Sequence, residues 1–338
     1  METEHNIRLT ASELSQLWAT YMNNSMSLCV HKYFIATAQD TEIKSFLIFS
    51  LHISEVLLQK ITDIYLKENH PIPVAFNEKE DVNVDAPALY TDVFIVNFVH
   101  SMSRYGLTAY GAALASSSRS DVVELFSNAL ELAGELYRKS LNLLLEKGLY
   151  HRGASIPIPE AVDFVQKQSY LTGWLGERRP LNAAEIMNIQ NDIKRNGIGK
   201  ALLLGYGQSA DSQEVRKYMV KGAQIAGKVI EVLSDLLTAE NISKTPTWDS
   251  EVLNSTTPVF SDKLMMFQAS LLSNASAGYY GTALGTCGRR DIGALYSRLL
   301  MESMQYAEDG ANLFIEHGWM EQPPQSIDNI EMAKTKKK

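Results

Sequence analysis

The first half of the chain carries histidines and carboxylates at positions where they could bind a metal. His31, His52, Glu55 and His100 are the candidate ligands, and Glu135 lies in the same half. Imidazole and carboxylate groups held at one level between helices are suitable donors for a transition metal. With a helical rise of about 1.5 Å per residue, the three histidines fall at similar depths if a long connection runs the length of a bundle. The sequence therefore predicts a candidate transition-metal site in the first half only.

The spacing of these residues does not match a standard di-iron centre. Such a centre uses Glu-x-x-His pairs on facing helices, and none of the predicted helices contains that motif. The only His-x-x-x-Glu, His317 to Glu321, lies at the end of the last predicted helix. His31 falls on an apolar helix stripe, but His52 is one position off the stripe of its own helix. Histidines held by hydrogen bonds in the core are therefore the alternative interpretation.

These residues belong to one of two copies of the same sequence pattern. Residues 9–76 align without a gap with residues 181–248, and residues 90–148 align with residues 260–318. A repeat of this length indicates a duplicated domain rather than a solenoid of small units. We expect a first bundle at 9–155, a linker at 156–180, a second bundle at 181–322 and a disordered tail at 323–338. The equivalents of the four candidate ligands are Leu203, Gln224, Gly227 and Ser270.

Helical periodicity predicts an all-α fold of two tandem ferritin-like four-helix bundles. In the first predicted helix, positions 14, 17, 21, 24, 28, 31 and 35 form one stripe. Each copy opens with a capping box, Thr10 with Glu13 and Asn182 with Glu185. The first and third connections are short and the middle one is long, which makes the second and third helices parallel. No segment shows the period-two alternation of a strand.

Polar residues repeated in both copies predict contacts inside each bundle. Asn24 and Asn196 fall at core positions, where a polar side chain can specify helix register. The pair Arg119 and Asp121 recurs as Arg289 and Asp291, and the aspartate complements the dipole at the start of the fourth helix. An anion site at that helix end is the alternative.

Small residues in the third helix of each copy predict a face that another helix can approach closely. We expect this face to join the copies as an intra-chain pseudo-dimer. Its members are Gly106, Ala109, Gly111, Ala112 and Ala113 in the first copy, and Ala275, Ala277, Gly278, Gly281 and Ala283 in the second.

Three sequence stretches resemble a known family. The run GWLGERRPLNAAEI at 173–186, the stretch EVRKY at 214–218, and the repeated Tyr-Gly-x-Ala-Leu at 110–114 and 280–284 are similar to DUF3231, an uncharacterised family of Bacillus and relatives. The resemblance extends from about residue 9 to 318 and implies a duplicated ferritin-like fold related to the spore coat protein F group. It supplies no catalytic residues.

Composition narrows the range of functions. The 338 residues are 45% hydrophobic and 21% charged, with a net charge of -8, which argues against nucleic-acid binding. The most apolar region, 43–58, is interrupted by charged and polar residues, so we expect no membrane span. Without a secretory signal, we expect a cytoplasmic or spore-associated protein. Cys29 and Cys287 are not at equivalent positions, so neither a disulfide framework nor a cysteine zinc site is expected.

Two functions agree with these observations. The first is a non-catalytic structural or interaction protein, spore-coat-like or sporulation-associated, whose protein partners bind helix surfaces. The alternative is a ferritin-like protein that binds a transition metal or small ligand at a degenerate site in the first bundle. No hydrolase or phosphate-loop motif is present, so the sequence favours a role without catalysis and leaves an enzyme open.

Overall fold

The computed structural model describes residues 7–173 and 178–327, and within these ranges the fold is all-α. The first copy forms α1 (Ala11–Thr37), α2 (Thr41–Lys67), the short α3 (Glu78–Asp81), α4 (Asp92–Ala115) and α5 (Ser120–Glu146). The second forms α6 (Ala183–Ser209), α7 (Gln213–Ala239), α8 (Asp262–Thr286) and α9 (Arg290–Glu316). Between the copies, the described part of the linker contains one 3-10 turn, Gln168–Leu171. Residues 328–338 of the expected tail lie outside the described residues.

The contacts at the helix ends define the topology of the first bundle. Lys147, just after α5, contacts Asp40 at the start of α2 with an N–O distance of 2.7 Å. Arg119, at the start of α5, contacts Glu68 at the end of α2 at 2.6 Å. Asp92, which begins α4, accepts hydrogen bonds from the backbone just before α2. Since α5 is antiparallel to α2 and to α4, α2 and α4 are parallel, which confirms the predicted long crossover.

The two long connections pair with each other across the copies. Backbone hydrogen bonds join Asn83 to Val259 and Leu253 to Leu89, both at 2.9 Å, and Thr91 to Glu251 and Ser261 to Asp81, both at 3.1 Å. Each bond has a counterpart in which the two copies exchange roles. Asn83 is equivalent to Leu253 and Leu89 to Val259, and likewise Thr91 is equivalent to Ser261 and Asp81 to Glu251. This reciprocity is the property of an isologous two-fold interface. The copies therefore pack as the predicted pseudo-dimer.

Aromatic side chains seal this interface. Phe260 packs edge-on against Tyr33 of the first copy and against Tyr206 of the second, with ring centroids 5.3 and 5.9 Å apart. Tyr90 reaches across and donates to the carbonyl of Leu202 at 2.7 Å. One hydrophobic cluster consequently contains residues of both bundles.

The predicted contact through the small-residue face is wrong for most of its glycines. Within the described residues, no heavy atom outside the local helix backbone lies within 4 Å of a Cβ built on Gly111, Gly278 or Gly281. Gly106 packs against Ala133 of its own bundle, with the built Cβ 3.5 Å from the alanine Cβ. The copies meet instead through the paired connections and through a contact between α4 and α6.

Replacing Gly205 with alanine should destabilise the pseudo-dimer. A Cβ at Gly205 would overlap the phenol of Tyr90, and overpacking a core costs about 1 to 3 kcal/mol. We expect a lower denaturation midpoint in guanidinium chloride. Gly111→Ala is the matched control: it also replaces a helical glycine, but it faces open space, so the free energy of unfolding should stay the same or rise by about 0.5 to 1 kcal/mol. Equal effects of the two changes would contradict this assignment.

Candidate functional site

His31 lies in the core of the first bundle with both ring nitrogens bonded. Its Nδ1 is 2.6 Å from the carbonyl oxygen of Ser27, and its Nε2 is 2.7 Å from Oγ of Ser50. A carbonyl oxygen can only accept, so Nδ1 carries the proton and Nε2 accepts from the serine hydroxyl. Burial lowers the pKa of His31 to about 4. Ser50 is buried as well, so this serine and histidine act as a core hydrogen-bonded pair.

His100 forms a second pair of the same kind. Its Nδ1 donates to Oγ of Ser140 at 2.8 Å, because that hydroxyl already donates to the carbonyl of Tyr137. The ring also stacks on Tyr137, with centroids 5.2 Å apart. Burial, followed by the positive charges of Arg104 and Lys194, lowers the pKa of His100 to about 4.

The structure does not gather the four candidate ligands into one centre. His52 and Glu55 are exposed neighbours on α2, with a closest N–O distance of 3.7 Å. His31 and His100 line different cavities. Within residues 7–173 and 178–327, no group of three or more histidine, cysteine, aspartate or glutamate side chains is placed to hold a metal ion. The metal hypothesis stays a prediction, and the observed bonds match the alternative of hydrogen-bonded core histidines.

The second copy fills the equivalent space with a pair of tyrosines. Tyr218 and Tyr306 stack with ring centroids 4.3 Å apart, and each hydroxyl donates to the other residue's carbonyl at 3.1 Å. Gly222 and Gly310 make room for the two rings. In the first copy, the residues equivalent to Gly222 and Gly310 are Ser50 and Ser140, which are the hydrogen-bond partners of the two histidines. The first copy therefore has two serine–histidine pairs in the region where the second copy has the stacked tyrosines.

A cavity of about 140 Å³ lies between α1 and α4 of the first bundle and α8 of the second. Its lining mixes apolar side chains with the polar groups of Asn24, His31 and Tyr110. Asn24 Nδ2 donates to the carbonyl of Thr20 at 2.8 Å and to the Tyr110 hydroxyl at 3.3 Å. In the second bundle, Asn196 makes the same bonds to Asp192 and Tyr280. These recurring bonds support the interpretation that the asparagines fix helix register.

The predicted anion site at the start of α5 is filled by a carboxylate of the chain itself. Glu13 Oε1 accepts from the backbone N–H groups of Ser118 and Arg119 at 2.9 and 2.8 Å, while Oε2 accepts from Thr10 N at 2.8 Å. Burial alone would raise the pKa of Glu13, but these hydrogen bonds lower it to about 2. The capping box of α1 is confirmed, and its Glu13 carboxylate also caps the start of α5. Asp121 holds the guanidinium of Arg119 in a two-pronged contact.

Glu185 makes the equivalent backbone contacts in the second bundle, and it also forms an ion pair with Arg179. It accepts from the backbone N–H groups of Asn182 and Arg289, both at 3.0 Å, and from both terminal nitrogens of Arg179 at 2.7 Å. Burial would raise the pKa of Glu185, but the Arg179 and backbone hydrogen bonds hold it below its ordinary value. The sequence showed the capping box but not this long-range role, because no local pattern records it.

No described helix has the length and apolar content required to cross a membrane. The sequence profile of the family described as a protein of unknown function, DUF3231, matches residues 1–161 and 169–332, once for each copy. No curated protein matches the chain. Among solved structures, a proposed spore coat protein from Bacillus halodurans is similar at 15% identity and a TM-score of 0.42, covering 44% of this chain and 98% of that one.

Proposed function

The chain belongs to the DUF3231 family, whose description states no function, and we propose that it is a non-catalytic structural or interaction protein. It acts through the outer faces of its helices. Both buried histidines are held by serine hydroxyls, and the buried carboxylates Glu13 and Glu185 clasp helix ends. The groups best suited to chemistry are thus engaged in holding the bundles together.

The observation that carries this proposal is the outer face of α9. Met301 and Met304 are 64% and 54% exposed, and Ile315 lies further along the same helix at 62%. The equivalents of the two methionines on α5 are Glu131 and Gly134. Flexible, polarizable methionine side chains are common on surfaces that bind other proteins. The second bundle is therefore the proposed binding side of the molecule.

The finer parts of the proposal concern place and ancestry. Motifs similar to relatives of the spore coat protein F group favour a spore-associated protein, held there by protein partners. Parallel α2 and α4 support a ferritin-like ancestry for each bundle. The cavity between the first bundle and α8 supports the alternative of a bound metal or small ligand. Metal content and visible absorbance of untagged protein would separate the two proposals.

Charging the α9 face should release the protein from spores. A fluorescent fusion expressed in a sporulating Bacillus host should co-purify with spores, and the double variant Met301→Glu, Met304→Glu should lower the spore-bound fraction about tenfold or more. Each buried methionine contributes about 1.5 to 3 kcal/mol to an interface.

The control for this experiment adds the same charge to the other bundle. Asn128→Glu with Asn142→Glu places two glutamates on α5 without removing an apolar side chain, and its spore-bound fraction should equal that of the unchanged protein. A fusion that stays evenly spread in the cell, or one whose spore binding ignores the α9 change, would contradict the proposal.

A further inference from the structure

A small crevice with a positive lining lies between the two bundles. It is formed by α4, α6 and the segment that follows α5, and its volume is about 40 Å³. Arg104, Lys194 and Arg195 contribute its positive charges, His100 and His151 contribute imidazole rings, and Tyr150 and Trp248 contribute aromatic walls. No aspartate or glutamate of the described residues lines it. For a chain with a net charge of -8, this concentration of basic groups is unusual.

Of these three cations, Arg195 pairs with Asp192, whereas Arg104 and Lys194 have hydrogen-bond partners but no counter-charge. Arg104 donates to Oδ1 of Asn191 at 2.9 Å. Lys194 donates to the carbonyl of His151 at 2.6 Å, and its ammonium lies 5.5 Å from the ring centroid of Tyr150. Across the described part of the chain, neither side chain takes part in an ion pair.

The electrostatic consequence is visible in the lysine. Burial lowers the pKa of Lys194, and the positive charge of Arg104 lowers it further. Two cations that repel each other in a half-buried crevice raise the free energy of the empty site. A bound anion would remove this repulsion, so the crevice is suited to a negatively charged group.

The pseudo-symmetric crevice on the other side lacks this charge. The equivalents of Arg104 and Lys194 there are Asn274 and Met22, and the equivalent of His151 is Glu321. Glu321 accepts a hydrogen bond from the backbone of Val74 at 3.0 Å. Since the same fold packs neutral and acidic residues at these positions, packing alone does not require the two cations.

The positive crevice continues into a wider groove. The two share His151 and Lys194, and the groove also presents Arg152, Lys244 and the amide of Gln190. Its volume is about 530 Å³, which is enough for a small polar molecule, whereas the crevice has room for a single compact group. This shape suits a ligand with one anionic end.

We propose that the crevice binds the phosphate group of a small soluble molecule, with the phosphate between Arg104 and Lys194 and the remainder in the groove. A phosphate dianion matches the two unpaired positive charges, Arg104 and Lys194, and can accept hydrogen bonds from both side chains. Inorganic phosphate shares this chemistry and should occupy the crevice alone.

Isothermal titration calorimetry on the full chain at low ionic strength tests the site. Inorganic phosphate and adenosine monophosphate should each bind once per chain, with the nucleotide tighter, and adenosine should not bind. Arg104→Asn and Lys194→Met introduce the side chains that the other copy has at these positions. Each substitution should raise the dissociation constants of inorganic phosphate and of adenosine monophosphate about tenfold or more, because a charge-assisted hydrogen bond is lost.

The control Arg298→Asn removes one exposed positive charge from α9 and introduces the residue of the first copy, Asn128. It should leave both affinities unchanged. As a second measurement, phosphate should raise the thermal midpoint of the unchanged protein and of the control, but not of the two crevice variants. No phosphate or nucleotide binding by the unchanged protein, equal losses in the control, or adenosine binding as tight as the monophosphate would overturn the proposal.

Discussion

Replacing Glu185 with alanine is expected to lower the free energy of unfolding by about 3 kcal/mol or more. The carboxylate is fully buried, caps α6, and accepts from the backbone at the start of α9 and from Arg179. Its removal leaves the Arg179 guanidinium without its counter-charge and several backbone N–H groups without an acceptor. Breaking a buried ion pair in this way typically costs about 3 to 5 kcal/mol. Guanidinium chloride denaturation at neutral pH measures the loss.

The equivalent carboxylate of the first bundle, Glu13, should contribute less to the free energy of unfolding. Glu13→Ala removes the same clasp from the first bundle, but Glu13 forms no ion pair within the described residues, so its loss should be smaller. Glu214→Ala, in the first turn of α7, is the exposed control and should change the free energy of unfolding by less than about 0.5 kcal/mol. Equal losses for Glu185 and Glu214 would refute the clasp.

Acid should destabilise the protein well before its carboxylates titrate. The pKa values of His31 and His100 are about 4 in the folded protein, against an ordinary value of 6.5. The unfolded chain therefore takes up two protons near pH 6.5 that the folded chain refuses until about pH 4. The associated stability is complete above pH 6.5 and is lost as the pH falls toward 4. Each histidine should contribute about 2 to 3 kcal/mol of this loss.

Denaturation curves at about pH 7.5 and about pH 4.5 measure this effect. In His31→Gln, the difference between the two curves should shrink by about 2 to 3 kcal/mol, because the group that refuses the proton is absent. His52→Gln replaces an exposed histidine and should behave as the unchanged protein does. Because the pKa of Glu13 is about 2, its clasp is lost mainly at lower pH. An unchanged acid response in His31→Gln would show that the buried imidazole is not responsible.

Much of the fold could be predicted from local sequence. The capping boxes of α1 and α6 are contained within four residues, and helical periodicity placed His31 in the core. The ungapped alignment of the copies predicted the duplication, and the length of the middle connection predicted parallel α2 and α4. These features depend on neighbouring residues or on comparison of the copies.

The contacts that the sequence did not show all join residues far apart in the chain. Periodicity placed His31 on an apolar helix stripe but could not show that it meets Ser50 of the next helix. The predicted contact through the small-residue face was wrong because glycine permits a close approach of another helix without requiring one. The copies instead meet through the long connections, which show little helical periodicity. The positive crevice combines Arg104 with Lys194, which are brought together only by the arrangement of the two bundles.

The reciprocal bonds of the paired connections have an evolutionary consequence. A single copy would offer the same backbone edge to another molecule of itself, so its ancestor is best understood as a homodimer whose assembly depended on concentration. Fusion supplies the partner at a high effective concentration. In a homodimer every substitution appears on both sides of the axis, whereas in the fused chain it appears once. Each half was thereby free to change its other surfaces independently, while both kept the residues of the joint.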